Sequence, residues 1–150
     1  MPDSSTIHAS AVLVGAKAVL IRGPSGSGKS RLAFDLIEAA ARGALPFARL
    51  VADDRAYVEA RDGRLLVRPA PQLAGLIEIR GLGIRRLVFE PVATVGLVID
   101  LGDPNSMRIP ANADRETTLE GVLIPRLSVA PGVDALPLVL AALRTAATVD

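Results

Sequence analysis

The spacing of apolar residues along the chain predicts two helices. Between residues 31 and 42, leucine, alanine and isoleucine recur three and four positions apart, which places them on one face of a helix. Gly43 follows directly and is typical of a helix end. Residues 136–147 form a second, strongly apolar segment near the end of the chain, and they predict a closing helix.

Shorter apolar runs, separated by turn residues, predict strands. These runs are residues 7–14, 17–22, 50–52, 92–101 and 124–129, together with a hairpin over residues 57–67. The turn of that hairpin is Asp62-Gly63, a pair that favours the left-handed backbone of tight turns. Strands that alternate with helices indicate an α/β fold, and the predicted hairpins make its sheet a mixed one. The polar stretch at residues 102–118 is expected to be mobile.

Composition narrows the class of protein. The chain has 150 residues, enough for one domain, and half of them are apolar, enough for a real core. A net charge of +1 and only three Phe and one Tyr argue against a nucleic-acid partner. Cysteine is absent, which excludes a thiolate metal site and suits a reducing compartment.

The N-terminal residues and the hydropathy of the chain predict a cytoplasmic protein. No apolar run approaches the length of a membrane span, and the N-terminus lacks the basic and apolar regions of a signal peptide. We therefore expect no membrane partner. Residues 1–6 are predicted to be a loose tail, and residues 7–150 a single domain.

A glycine-rich loop carries the strongest chemical signal. The loop matches the phosphate-loop pattern G-x-x-x-x-G-K-[ST] in full and consists of Gly23, Pro24, Ser25, Gly26, Ser27, Gly28, Lys29 and Ser30. An apolar strand precedes it and an amphipathic helix follows, as this motif requires. Backbone N–H groups of such a loop cradle phosphates, the lysine reaches the β- and γ-phosphates, and the hydroxyl binds Mg²⁺. The sequence thus predicts binding of a nucleoside triphosphate with Mg²⁺.

The carboxylate that should complete the metal site has two candidates. Residues 95–100 form the better apolar strand and end in Asp100, whereas the shorter run at residues 50–54 ends in Asp53 and Asp54. Two adjacent carboxylates at a strand end can serve different partners, one the metal and one a substrate proton. The pattern alone leaves the two candidates equal.

A third cluster, residues 76–86, combines Glu78 with several arginines around two glycines. Such a cluster could bind a metal and phosphate oxygens. Taken alone, it favours a surface hairpin with a charged edge.

Together and in this order, residues 23–30, 51–54 and 78–84 resemble the catalytic domain of HPr kinase/phosphorylase, and the resemblance covers residues 7–142. It implies a mixed β-sheet with flanking helices around the P-loop, as in HPr kinase and PEP carboxykinase. It also implies an ATP- and Mg²⁺-dependent kinase that phosphorylates a serine of the phosphocarrier HPr, and a homo-oligomer, in this family a hexamer. The chain looks like the short alphaproteobacterial form, which lacks the N-terminal domain.

The resemblance assigns roles to individual residues around the nucleotide. Lys29 would contact the phosphates, and Ser30 and Glu78 would bind Mg²⁺. Asp54 would be the general base, with Asp53 beside it supporting the metal or the substrate. Asp100 falls where the family has an ordinary strand.

Two further residues receive roles by resemblance, and one motif departs from the family. His8 corresponds to a functional histidine, although His-Ala stands here where the family has His-Gly. Arg108 lies about where the family places a catalytic arginine. Near the C-terminus, residues 130–134 keep Pro-Gly but lack both arginines of the segment associated with the reverse reaction. We therefore expect weak phosphorylase activity or none.

Two other functions stay open at this point. One is a P-loop kinase for a small-molecule substrate. The other is a regulatory module that senses ATP without transferring phosphate.

Overall fold

The computed structural model describes residues 5–146 and contains eleven strands and two α-helices in that range. The strands are β1 (Ser5–Ile7), β2 (Ala9–Val14), β3 (Lys17–Arg22), β4 (Ala48–Ala52), β5 (Ala56–Arg61), β6 (Arg64–Pro69), β7 (Leu76–Ile79), β8 (Gly83–Arg86), β9 (Ala93–Asp100), β10 (Glu116–Leu119) and β11 (Val122–Ser128). The helices are α1 (Lys29–Ala41) and α2 (Ala135–Arg144), and short 3₁₀ turns cover Pro71–Leu73 and Asn112–Arg115.

Nine of the strands form one large mixed sheet. Its main path runs β1-β5-β6-β9-β3-β2-β4, and β11 joins the end of β9 and carries β10 on its far edge. Strand β9 is the centre of this arrangement: it pairs with β6 at its start, with β3 along its length and with β11 at its end. The remaining two strands, β7 and β8, form a separate hairpin.

Four strands of this sheet end at the same edge. Strand β9 runs parallel to β3 and β11, and β4 shares their direction because β2 is antiparallel to both β3 and β4. Carboxyl ends of parallel strands are where open α/β sheets bind their ligands. The glycine-rich loop, the Asp53-Asp54 pair, Asp100 and the end of β11 are therefore neighbours at one edge.

Two apolar clusters hold the fold together. On one face of the sheet, Leu32 and Leu36 of α1 and Val139 of α2 pack against the strands, so both helices lie on that face. The second cluster lies inside the curl of the sheet, where β6 approaches β4 and β5 approaches β2. Among residues 5–146, no helix is long and apolar enough to cross a membrane.

The structure corrects the predicted elements in several places. Ser5 and Thr6 belong to β1, which pairs with β5, and are not part of a tail; residues 1–4 lie outside the described residues. The predicted strand at residues 7–14 is broken at His8. The stretch at residues 102–118 contains a 3₁₀ turn and the first three residues of β10, and its mobility stays a prediction. Helix α2 ends at Arg144, and the last predicted residue, Ala147, lies outside the described residues.

Candidate active site

The glycine-rich loop joins β3 to α1 and leaves room for an anion. A Cβ on Gly23 would lie 2.5 Å from Ser27 Oγ and 3.0 Å from the Leu101 carbonyl oxygen, so only glycine fits there. Gly26 and Gly28 have φ of 80° and 95°, values that L side chains rarely adopt. Lys29 Nζ donates to the Gly23 carbonyl at 2.9 Å, which folds its ammonium over the loop.

Unsatisfied donors surround this loop. Helix α1 begins after Gly28 with no side-chain cap and no acidic residue in its first turn, whereas α2 is capped by Asp134, whose carboxylate accepts from Leu136 N. The free N–H groups and the positive end of the helix dipole therefore face the loop. Ser27 Oγ is buried and, within residues 5–146, has no hydrogen-bond partner. This chemistry fits a phosphate chain.

Asp53 links the loop to the sheet. Its side chain is only 6 % exposed. Its Oδ1 accepts from Ser30 Oγ at 2.6 Å and from Ser10 Oγ at 2.7 Å, and its Oδ2 accepts from Glu78 N at 3.1 Å. The carboxylate thus joins α1, β2 and β7 at one point.

Asp54 sits beside this carboxylate but faces solvent. Arg55 N donates to the Asp53 carbonyl at 2.7 Å, which closes a three-residue γ-turn with Asp54 at its centre and a φ of 66°. Asp54 N also donates to Ser10 Oγ at 3.3 Å. A positive φ at a residue other than glycine is unusual and concentrates at functional sites, so the turn holds this carboxylate outward at some cost in strain.

Sequence reasoning missed Ser10. Its hydroxyl is fully buried, yet it connects Asp54 N to Asp53 Oδ1 and so fixes the position of both acidic residues. The only signal in the sequence is a hydroxyl group inside the apolar run of β2. A buried hydroxyl needs a partner, and here the partner is the acidic pair.

The candidate metal ligands lie close together. Ser30 Oγ and Glu78 N both donate to the carboxylate of Asp53, and the Glu78 side chain is exposed next to them. Within residues 5–146, no three His, Cys, Asp or Glu side chains form a metal cluster by themselves. Mg²⁺ usually takes one or two carboxylates together with phosphate oxygens and water, so this sparse oxygen set fits a Mg–nucleotide complex.

His8 and Arg108 are both exposed. His8 lies at the junction of β1 and β2, and since Ala9 pairs with Arg22, it stands at the same edge of the sheet as the glycine-rich loop. Arg108 lies in the segment after β9, between Met107 and Pro110, which line a cavity beside the loop. Both residues therefore lie at the same edge of the sheet as the candidate site, and neither is among the hydrogen-bond partners of the Asp53 carboxylate.

Asp100, the alternative carboxylate, is held by two arginines. Arg22 Nε and Nη2 donate to Oδ1 and Oδ2 at 2.7 and 2.8 Å, and Arg126 Nε donates to Oδ2. Burial would raise the pKa of Asp100, but the hydrogen bonds and charges of the two guanidinium groups outweigh it and lower the pKa. Asp100 thus belongs to an ion-pair network and is not hydrogen-bonded to the P-loop serine.

Comparison with known proteins places this geometry in a family. The family model described as HPr Serine kinase C-terminal domain matches residues 1–115. The chain belongs to this family. The match confirms the resemblance carried by residues 23–30, 51–54 and 78–84, and it ends before β10.

Individual relatives agree with the family. The HPr kinase/phosphorylase of Limosilactobacillus reuteri strain DSM 20016 is 37% identical over 136 residues, which are 83% of this chain and 40% of that protein. The protein of the same name from Streptococcus thermophilus strain LMD-9 is 36% identical over 141 residues, or 86% of this chain and 43% of that protein. The chain thus spans about two fifths of the length of these HPr kinase relatives.

A solved structure confirms the fold. The Hpr(Ser) kinase/phosphatase from Coxiella burnetii superimposes with a TM-score of 0.72 and 27% sequence identity, covering 93% of this chain and 88% of that one. The predicted α/β fold with a mixed sheet, of the HPr kinase type, is therefore confirmed, with the difference that both helices of the described residues lie on one face of the sheet.

Proposed function

We propose that this chain is a protein-serine kinase that transfers the γ-phosphoryl group of ATP to a serine of HPr or an HPr-like phosphocarrier. The observation that carries the proposal is the hydrogen bond of 2.6 Å between Ser30 Oγ and Asp53 Oδ1. It joins the end of the phosphate loop to an acidic pair, and a P-loop kinase needs both parts at one point.

In the proposed mechanism, Lys29 and the uncapped N-terminus of α1 bind the phosphates. Ser30, Asp53 and Glu78 are the residues that would hold Mg²⁺, which when bound neutralises charge on the β- and γ-phosphates. The contacts of Asp53 support this assignment, because they already bring Ser30 and the backbone of Glu78 to the same carboxylate.

Asp54 is the proposed general base. Its exposure lets a serine from another protein approach, and its γ-turn keeps the carboxylate directed outward. As the seryl oxygen forms its bond to the γ-phosphorus, the bond from that phosphorus to the bridging oxygen of ADP breaks, and the seryl proton passes to Asp54.

Arg108 and His8 are proposed to assist at the rim. A guanidinium from the segment after β9 can reach the transferred group and stabilise the charge that develops on it. His8 stands at the edge where the carrier must enter. For the reverse reaction, the loss of both arginines from residues 130–134 supports weak phosphorylase activity or none.

The test mixes the purified chain with γ-labelled ATP, Mg²⁺ and an HPr-like carrier, and reads the intact mass of the carrier. We expect one added phosphate, which a Ser→Ala change at the acceptor abolishes. Transfer to a metabolite would indicate the small-molecule kinase instead, and tight ATP binding without transfer would indicate the sensor. Light scattering of the same sample tests the homo-oligomer, a hexamer, expected from the family.

The role of Asp54 is tested by Asp54→Asn, because asparagine tolerates the same backbone and removes the base. We expect nucleotide affinity to stay within about twofold and turnover to fall by about 10²-fold or more. Asp62→Asn is the matched control, since Asp62 is also exposed and has a φ of 53°, but lies in the β5–β6 turn. Near-normal turnover of Asp54→Asn would place the base elsewhere.

A further inference from the structure

Two polar side chains are buried within residues 5–146, and they are hydrogen-bonded to each other. One is Asp53, which the proposed mechanism uses, and the other is Ser10, which it does not. Ser10 has no solvent exposure, and its hydroxyl donates to Asp53 Oδ1 at 2.7 Å. A single buried hydrogen bond adds little net stability, which leaves room for a role of this hydroxyl in the chemistry of the site.

The strand pairing places Ser10 next to the acidic pair. Strand β2 is antiparallel to β4, and Ala11 pairs with Ala52, so Ser10 lies opposite Asp53, the residue that follows β4. Ser10 also pairs with Ile21 of β3, which belongs to the apolar cluster on the side of the helices. Paired residues of neighbouring strands point to the same face, so the hydroxyl points to the face on which α1 lies.

The Ser10 hydroxyl makes two hydrogen bonds, and the first determines the second. Its one proton is donated to Asp53 Oδ1, so its lone pairs are left to accept from Asp54 N at 3.3 Å. Asp53 Oδ1 also accepts from Ser30 Oγ at 2.6 Å. A continuous series of hydrogen bonds thus connects the backbone at Asp54 with the phosphate loop, and a buried network whose members are bonded in this way is rigid.

The position of the Asp54 carboxylate depends on this series of hydrogen bonds. The carboxylate is exposed, so its direction is set by the γ-turn that carries it. The bond that closes the turn, from Arg55 N to the Asp53 carbonyl, joins close neighbours and moves with them. The bond from Asp54 N to Ser10 Oγ instead reaches a strand 44 residues away in the chain, so it holds the strained turn against the sheet.

We propose that Ser10 is a positioning residue whose hydroxyl fixes the distance between Asp54 and the phosphate loop, an inference that rests on the kinase activity of the proposed function. In that function Asp54 takes the seryl proton, so its carboxylate has to lie within hydrogen-bond reach of an oxygen that attacks in line with the γ-phosphorus. A displacement of about 1 Å in such a geometry lowers the rate by about 10²-fold. Ser10 itself is buried and acts through the acidic pair.

The first test is Ser10→Ala in the assay of phosphate transfer to the HPr-like carrier. Asp53 keeps two donors in this variant, whereas Asp54 N keeps no other acceptor in the described part of the chain. We therefore expect kcat to fall by about 10–100-fold while KM for ATP stays within about twofold. An unchanged kcat, or a loss that appears only in KM for ATP, would overturn the inference.

Val12→Ala is the matched control for loss of stability. Val12 is buried in the same strand and packs in the apolar cluster on the side of the helices, so its truncation leaves a cavity without removing a bond of the acidic pair. We expect kcat of this variant to stay within about twofold of the unmodified chain. An equal fall of kcat in Val12→Ala and Ser10→Ala would overturn the inference.

The Asp54→Asn background separates positioning from a purely structural role. If Ser10 acts through Asp54, adding Ser10→Ala should change the residual transfer of Asp54→Asn by less than about twofold, because the base that it positions is already absent. A loss of stability would instead lower transfer in both backgrounds. A fall as large as that in the unmodified chain would therefore overturn the inference.

Hydrogen exchange of the Asp54 amide, read by NMR of the ¹⁵N-labelled chain without nucleotide, tests the contact itself. We expect this amide to exchange at least about tenfold more slowly in the unmodified chain than in Ser10→Ala, with Val12→Ala within about twofold of the unmodified chain. If phosphate is transferred but the Ser10→Ala exchange rate is unchanged, the inference alone fails. If the amide is protected but the unmodified chain transfers no phosphate, the proposed function fails and the inference with it.

Discussion

Replacing Asp53 by alanine removes the acceptor that three separate parts of the chain share. The hydroxyls of Ser10 and Ser30 and the backbone N–H of Glu78 all donate to this one carboxylate. After the substitution, the Ser10 hydroxyl keeps no acceptor in a position with no solvent exposure. The perturbation therefore measures how far the candidate site contributes to the stability of the fold.

The magnitude follows from the burial of each donor. A fully buried polar group that loses its partner costs about 1–3 kcal/mol, which applies to Ser10. Ser30 is half-buried and water can replace the lost acceptor, so its cost is smaller, and relief of the buried charge offsets part of the total. We expect Asp53→Ala to lower the free energy of unfolding by about 1–3 kcal/mol. For a chain of this length, 3 kcal/mol corresponds to a fall in Tm of about 6–12 °C.

The assay is urea unfolding of Asp53→Ala, Ser10→Ala and the double variant. Since Ser10 and Asp53 contact each other, the two substitutions should couple by about 1 kcal/mol or more. Asp62→Ala, at an exposed turn, is the control and should change the free energy of unfolding by less than about 0.5 kcal/mol. If Asp53→Ala cost no more than the control, or if the cycle were additive, the shared carboxylate would not be what stabilises this part of the fold.

Two further substitutions test the loop and the ion-pair network. Gly23→Ala should weaken ATP binding by about tenfold or more, because its Cβ would crowd Ser27 Oγ and the Leu101 carbonyl. The control, Gly43→Ala, strains a backbone with a φ of 85° far from the loop, so it should lower stability and leave the affinity for ATP unchanged. Calorimetry that finds equal affinities for the two variants contradicts this prediction. The lowered folded-state pKa of Asp100 adds stability that is complete above about pH 4 and is lost as the pH falls through that pKa. Asp100→Asn should therefore flatten the acid side of the stability profile between about pH 5 and pH 2, and an unchanged slope in denaturant titrations would argue against the network.

Local patterns in the sequence predicted the local elements. Helix α1 follows from its apolar spacing, and the β5–β6 hairpin from Asp62-Gly63, because both depend on residues close together in the chain. Strand β1 and the order of the sheet could not be predicted. Strand β1 pairs with residues some fifty positions away, and β9 changes partners along its length, neither of which leaves a local signal.

The same distinction holds for the site. The phosphate loop is contiguous and could be identified from its motif, but Asp53 and Asp100 both end strands at the same edge and have the same local pattern. The two differ in partners that are distant in the chain. Asp53 is hydrogen-bonded to Ser10 and Ser30, whereas Asp100 is paired with two arginines. Sequence spacing alone contains neither set of contacts.

The uncapped start of α1 makes the helix depend on what binds there. Asp134 supplies α2 with its own cap, but the first turn of α1 has no side-chain cap, so its N–H groups can be satisfied by an anion from outside the chain. A phosphate bound by the loop accepts hydrogen bonds from these N–H groups. Because it binds the folded chain and not the unfolded one, it stabilises the fold, and the stabilisation increases with its concentration. The first turn of α1 is thus a local unfolding unit whose hydrogen-exchange protection rises with nucleotide concentration, while α2 keeps its protection at every concentration. Under the proposed function, the nucleotide pool of the cell would stabilise this chain as well as supply the phosphate that it transfers.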